Sequence, residues 1–363
     1  MALTGGPTDG PTVAEVGEDA FVAAVVDRLR VAAGTSTAPA RVILGPGDDA
    51  AVMALDGPLV TSTDTLVQDV DFRLDWSSGY DVGRKAAVQV LADVEAMGAV
   101  PVGIVLALVV PGSTPLAWCL DLADGLAREA RLAGAAVLGG DVADGGALVL
   151  TGTSFGVLVG ERPAVRRDGA GPGDVVVLGP AGAPLGSSAA GLAVLRAGPA
   201  GPAGCDGSNG SAVDAMHRVA AVHRAPQVDH TAGARAREAG ATAMIDVSDG
   251  LVRDATRMAR ASGVVLALDA AALAPSEDLV AVARLLGEDP QEWVLTSGEE
   301  HAMLAAFPAF PAVAAFPALP AVAALPGGFV PVGRVEAADD GWTGVTVDGL
   351  RRTDDGGWVH YPH

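Results

Sequence analysis

The chain has 363 residues, with 44 Asp and Glu against 23 Lys and Arg, for a formal charge of −21. That balance excludes a basic nucleic-acid-binding surface, because phosphates need cations to neutralise them. Half of the residues are apolar and the length exceeds what one small core needs, so two domains are expected.

Lys85 is the only lysine, and the Arg, Ala, Gly and Val excess fits a GC-rich coding bias. Cys119 and Cys205 lack CxxC or metal spacing, which suits a reducing compartment. The first residues are polar and carry no basic charge, unlike a secretion signal. The longest apolar run, 99–111, is short for a bilayer span and contains Pro101. A cytoplasmic protein with no membrane partner is expected.

In chain order, 1–13 reads as a loose tail and 19–30 as a helix with Phe21, Val25, Val26 and Leu29 on one side. Strand-like runs at 50–55 and 59–63 flank the turn Asp56-Gly57-Pro58. Val82, Ala86, Val90, Val94 and Met97 recur every three or four positions, predicting a helix over 79–97. A buried strand at 104–110, a helix at 116–133 and strands at 135–138 and 147–159 follow. The polar, turn-rich segment 161–173 marks a domain boundary, giving domains 14–162 and 163–363. The second half opens on a strand at 174–178. A helix near 189–195, a loose stretch at 198–212 and a helix at 251–261 come after it. Residues 307–327 repeat Phe-Pro-Ala and Pro-Ala-Val units, in which proline prevents regular helix, and read as an insertion. Strands and helices in mixed order predict α+β layers.

Acidic clusters recur at presumed turns and element ends. They are Asp48-Asp49 after Gly47, Asp64 after Ser62-Thr63, Asp93 in an apolar helix, Asp141 after Gly139-Gly140, and Asp246 and Asp249 around Ser248. Singly, each suits an ordinary turn or cap. Together they imply a cation, because two carboxylates about 4 Å apart repel by roughly 4 kcal/mol at an effective dielectric of 20. Oxygen ligands without Cys or His favour Mg²⁺ or Ca²⁺ over zinc. Mg²⁺ on a few carboxylates, open to phosphate oxygens, is the arrangement of phosphoryl transfer.

The series GPGDDAAV, TSTDTLVQDVDF, KAAVQVLADVEAMGA, LGGDV, RRDGAGPGD, IDVSDGL and SGEEHAML resembles the thiamine-monophosphate kinases in order and spacing, over roughly residues 15–305 and the extreme C-terminus. The wider superfamily contains aminoimidazole ribonucleotide synthetase and selenophosphate synthetase. The resemblance implies a two-domain α+β fold: an N-terminal mixed sheet with helices that dimerises, and a C-terminal α+β domain completing the ATP and substrate site. It implies Mg²⁺ ions on Asp49, Ser62, Thr63, Asp64, Asp93, Asp141, Asp246 and Asp249. ATP would be contacted by Gly140, Asp141, Arg167 and Ser248. Asp71, Glu299 and Trp358 fall at acceptor positions, where a carboxylate and an aromatic face suit a thiazolium cation. The implied reaction is in-line attack by the phosphate of thiamine monophosphate on the γ-phosphorus of ATP, the last step of thiamine diphosphate biosynthesis, with no general base.

Departures from the family pattern fall mostly near the acceptor. Asp71 stands where a histidine is usual, Val90 for an asparagine, Val142 for a threonine, and Ser297-Gly298-Glu299-Glu300-His301 varies Gly-Gly-Glu-Asp-Tyr. The alternatives are another ATP-using enzyme of the superfamily, or a scaffold that binds nucleotide or metal without turnover. Gly152-Thr153-Ser154-Phe155-Gly156 matches the GxSxG elbow of hydrolases, but an apolar strand continues through it where a helix should begin. The six histidines lack metal spacing and read as surface or packing residues.

Overall fold

The computed structural model describes residues 10–32, 39–198, 210–309, 325–353 and 356–358. The chain divides into two compact units, Met1–Glu95 with Ala99–Glu161, and Ala96–Gly98 with Arg162–His363. No helix among the described residues is long and apolar enough to cross a membrane.

The N-terminal unit begins with helix α1 (Val13–Val16), which lies between the tail expected at 1–13 and the helix expected at 19–30 and overlaps the tail only at Val13. A capping box starts it: Thr12 Oγ1 accepts from the Glu15 amide, and the Glu15 carboxylate accepts from the Thr12 amide at 2.8 Å. Helix α2 (Glu18–Ala32) follows, then a hairpin of β1 (Ala40–Leu44) and β2 (Val52–Leu55). The next elements are β3 (Leu59–Val67), α3 (Gly79–Ala96), β4 (Val100–Val110), α4 (Leu116–Leu132), β5 (Ala136–Asp144) and β6 (Val149–Val157). The four longer strands form one mixed sheet in the order β3-β6-β4-β5, with β4 and β5 parallel. Leu91 and Ile104, buried with Leu122, Leu126, Leu148 and Leu150, help build its core.

Three strands run longer than their sequence signals. Pro101 does not delay β4, because the register shifts between Pro101 and Gly103, and a bulge removes the need for a ladder donor there. β3 continues to Val67, so Asp64 lies within a strand rather than at its exit. β5 passes through Gly139-Gly140-Asp141, which is therefore not a turn. Gly139 sits at φ 155 where the register with β4 shifts, and a β-carbon on Gly140 would come 2.0 Å from the Leu106 carbonyl oxygen. Glycine serves here to pass a bulge and a close strand, not to reverse the chain.

The turn between β2 and β3 is tight. Gly57 has φ 152, and a β-carbon on it would come 2.3 Å from the Leu158 carbonyl oxygen. The Leu158 amide in turn donates to the Pro58 carbonyl at 3.0 Å.

The C-terminal unit holds β7 (Val175–Leu178), α5 (Ser187–Ala197), α6 (Gly210–Arg224), α7 (Ala232–Ala239), β8 (Ala243–Asp246) and α8 (Leu251–Ser262). Next come β9 (Val264–Leu268), α9 (Glu277–Leu286), α10 (Pro290–Thr296), β10 (Met303–Phe307), β11 (Val330–Ala337), β12 (Gly344–Val347) and β13 (Leu350–Arg352). Seven strands form a sheet in the order β13-β12-β9-β11-β7-β10-β8, in which only β12 and β9 are parallel. Phe307, read as the start of the insertion, is a buried residue of β10. Residues 310–324 of that insertion and 199–209 of the loose stretch lie outside the described residues. Residues 210–212 belong to α6.

Candidate functional site

In the N-terminal unit, strand and helix periodicities bring three of the expected metal ligands together. Residues two apart on a strand share a face, and residues four apart on a helix share a side. Ser62 and Asp64 on β3 thus meet Asp93 and Gln89 on α3. Ser62 Oγ donates to Asp93 Oδ2 at 2.6 Å, and Gln89 Nε2 donates to Asp64 Oδ2 at 2.7 Å. The other Asp64 oxygen accepts from the Thr65 amide at 2.7 Å. All three donors are neutral.

Thr63 turns to the opposite face. Its hydroxyl donates to the Gly152 carbonyl at 2.9 Å and lies 3.0 Å from the Thr153 hydroxyl. Asp141 is on that face too. The pairing places it in the row Thr65–Thr151–Ala107–Asp141, whereas Asp64 shares the row Gly152–Leu106–Gly140. β3 and β5 are opposite edges of the sheet, three strand spacings apart, or about 14 Å. Within one copy of this unit the side chains of Asp64 and Asp141 therefore do not share an ion. Asp49 lies exposed between β1 and β2, its amide donating to the Asp48 carboxylate at 2.8 Å.

The GxSxG segment is strand β6. A β-carbon on Gly152 or Gly156 would come 3.2 Å from Val90 or Val94 side-chain atoms, so the glycines form the groove that seats α3. Ser154 is fully buried. Asp71 turns inward, with Oδ2 accepting from the Val67 amide at 2.8 Å, and buried Lys85 donates to its backbone carbonyl at 3.0 Å.

In the C-terminal unit, two segments are laced together by backbone bonds. The Glu299 amide donates to the Ser248 carbonyl and the His301 amide to the Val247 carbonyl. A β-carbon on Gly298 would come 1.8 Å from the Ser248 carbonyl oxygen, so this approach requires glycine. Asp246 ends β8, and its Oδ2 lies 3.2 Å from His301 Nδ1.

Asp254, on the first turn of α8, carries no distinguishing signal in the sequence, since an acid there looks like any N-terminal helix residue. It is fully buried and accepts the amides of Ser248, Asp249 and Gly250 at 2.9–3.1 Å. Burial, and then the neighbouring Asp246 charge, push its carboxyl up to about 6. Arg257 braces both Asp254, at 2.6 Å, and Asp249, at 2.5 Å. Trp358 reaches the same turn, its amide donating to the Asp249 carbonyl at 2.9 Å, with the side chain partly exposed. Arg167 is exposed, and its carbonyl accepts from Ser262 Oγ at 3.0 Å.

The segment carrying Glu299 is strained: Glu299 and His301 have φ of 69 and 50, values that side chains other than glycine seldom adopt. Between them Glu300 is buried, accepting from the Ser188 amide at 2.7 Å and from Ser297 Oγ at 3.1 and 3.2 Å. Burial pushes its carboxyl up to about 7.

Mg²⁺ tends to bind through one or two carboxylates plus waters and phosphate oxygens, rather than in an all-protein cage. Among the described residues no three His, Cys, Asp or Glu side chains cluster as a metal cage. The Ser62, Asp64 and Asp93 set, with two carboxylates, a hydroxyl and only neutral partners among the bonds given above, fits the first arrangement.

Residues 47–158 match the AIR synthase related protein, N-terminal domain. A thiamine-monophosphate kinase of Mycobacterium tuberculosis is 43% identical over 98% of this chain and 94% of its own. The crystal structure of thiamine-monophosphate kinase from Stenotrophomonas maltophilia K279a is 28% identical, covers 91% of this chain and 97% of its own, and superposes with a TM-score of 0.71. A further structure, AaThiL complexed with AMPPCP and TMP, has a TM-score of 0.69 at 24% identity, over 96% and 98% of the two chains, and shares the two-domain α+β fold. With such identity running through both compact units, this chain belongs to the thiamine-monophosphate kinase family.

Proposed function

We propose that this protein transfers the γ-phosphoryl group of ATP to the phosphate of thiamine monophosphate, releasing thiamine diphosphate and ADP. This completes thiamine diphosphate biosynthesis. The observation that carries the reading is the 43% identity to a thiamine-monophosphate kinase across nearly the whole chain. A chain of the same fold binding AMPPCP and TMP supports it.

The attacking oxygen belongs to a phosphate already anionic at neutral pH, so the reaction needs alignment and charge neutralisation rather than a general base. Ser62, Asp64 and Asp93 would hold Mg²⁺, with the Thr63 contribution limited to its backbone by the direction of its side chain. Bound there, the ion would offset negative charge on the polyphosphate. Asp49, Asp141, Asp246 and Asp249 belong to the same reading as ligands of further ions. Because Asp141 faces away from Asp64, it serves a different ion. Gly140, Arg167 and Ser248 would contact ATP. Arg167 offers an exposed guanidinium suited to a phosphate.

Glu299 and Trp358 would meet the thiazolium ring. Asp71 is assigned to the acceptor side as a structural support, since its carboxylate is engaged by the Val67 amide. A homodimer formed through the N-terminal unit is part of the proposal, supported by exposed Ile43, Leu44, Val52 and Leu59. So is a cytoplasmic location, where the reaction draws on ATP.

Incubation with ATP, Mg²⁺ and thiamine monophosphate should yield thiamine diphosphate by chromatography, with unphosphorylated thiamine left unchanged. Absence of product, or equal use of thiamine, would overturn the reading.

A further inference from the structure

Glu299 does not stand alone at the acceptor position. Ser188, the second residue of α5, is 2% exposed and sits at the junction of two carboxylates. Its amide donates to Glu300, while its hydroxyl donates to Glu299 Oε2 at 2.8 Å. His223, near the end of α6 and 9% exposed, brings Nδ1 within 2.9 Å of Ser188 Oγ and 3.2 Å of Glu299 Oε2. An ionised carboxylate can only accept, and the serine proton is already directed at it, so the imidazole must supply Nδ1–H to this cluster. Two donors from two helices thus converge on one oxygen of Glu299.

The helices are placed for this by their packing. A β-carbon on Gly191 would come 2.2 Å from the Val219 carbonyl oxygen and 2.9 Å from the His223 β-carbon, so α5 and α6 cross at backbone contact only because residue 191 has no side chain. The target is also one that needs holding. Glu299 has φ 69 and its side chain is about one-third exposed, so these bonds narrow the rotamers its carboxylate can adopt.

We propose that Ser188 and His223 are positioning residues for the acceptor, fixing the Glu299 carboxylate against the cationic ring of thiamine monophosphate; the inference rests on the assignment of Glu299 to that ring. The two side chains act through Glu299 and touch neither reacting phosphate. They therefore govern acceptor affinity and leave the chemical step and nucleotide binding alone.

The test is steady-state kinetics of the full chain with both substrates. Glu299→Gln, Ser188→Ala and His223→Leu should each raise the KM for thiamine monophosphate about tenfold, the loss expected for a hydrogen bond to a charged group. The kcat and the KM for ATP should stay within about twofold. His223→Asn, which keeps an N–H near the Nδ1 position, should restore most of the affinity. Ser188→Ala added to Glu299→Gln should cost nothing further, because residues acting as one unit are non-additive.

If Glu299→Gln weakens the acceptor but the Ser188 and His223 variants do not, the positioning role is wrong and the Glu299 assignment stands. A further tenfold loss in the double variant would likewise overturn the proposal, since Ser188 would then act elsewhere. If Glu299→Gln leaves the KM unchanged, the assignment of Glu299 fails and the inference falls with it. Ser188→Ala removes a single oxygen and keeps the amide bond to Glu300, so it serves where His223→Leu fails to fold.

Discussion

The acids of the two units are held by different kinds of partner. On β3 and α3, Asp64 and Asp93 take hydrogen bonds from a hydroxyl, a carboxamide and an amide, none of which brings positive charge. In the turn after β8, Asp249 and Asp254 share Arg257, Asp246 faces His301, and three backbone amides point at Asp254. The bonds named for the first group orient its carboxylates through neutral donors. The second is braced by a guanidinium, an imidazole and the amides of its own turn. Acidic clusters alike in sequence thus differ in what surrounds them: neutral donors orient one, while cationic side chains and a row of amides brace the other.

That contrast can be broken at three points. The largest effect is expected for Asp64→Asn, which keeps the strand and the Gln89 contact but removes one charge. Turnover should fall roughly 10²–10³-fold while the melting temperature holds, because the amide is the same size and can still accept from Gln89. Near-normal turnover would remove Asp64 from the metal assignment.

Asp254→Ala should do the reverse. Three amides lose their acceptor and Arg257 keeps only Asp249, so stability should drop by about 3 kcal/mol in chemical denaturation. A change under about 0.5 kcal/mol would mean that the turn holds without its buried acid.

Glu300→Gln is the mildest and tests the second unit through pH. The carboxyl is raised from 4.5 to about 7 in the folded protein, so between those values the folded state binds more protons than the unfolded chain. Stability therefore falls as pH rises through this window and is level above it. The amide variant should be more stable than the parent by about 2 kcal/mol at pH 8, and equal to it near pH 4. A difference independent of pH would show that Glu300 does not titrate there.

Much of this architecture was legible where periodicity speaks for itself. The stripe Val82, Ala86, Val90, Val94 marked α3 nearly to the residue, and the continuous apolar run after Ser154 marked β6 as a strand. Glycine misled in both directions. Gly139-Gly140 read as a turn and is a bulged strand, while Gly191 carried no signal at all, since a helix crossing cannot be seen from one helix. β1 was missed because it is only five residues long, carries Arg41 within it, and is followed directly by a Gly-Pro-Gly loop. Side-chain partnership was least visible. Asp254 and His223 sit on ordinary helices, and what sets them apart is burial against segments 5 to 76 residues away in the chain. Family likeness assigned Trp358 to the acceptor but did not foretell its bond to the Asp249 turn, as no local pattern links the two.

Because neighbouring residues of β3 serve opposite sides of one sheet, the phase of that strand is itself a functional coordinate. Deleting one residue between Pro58 and Ser62 would present Thr63 to α3 and turn Asp64 toward the threonines of β6, exchanging a carboxylate for a hydroxyl without altering composition elsewhere. The cramped reversal at Gly57 leaves the chain little slack to absorb such a slip. This stretch should therefore accept changes of residue type far more readily than changes of length.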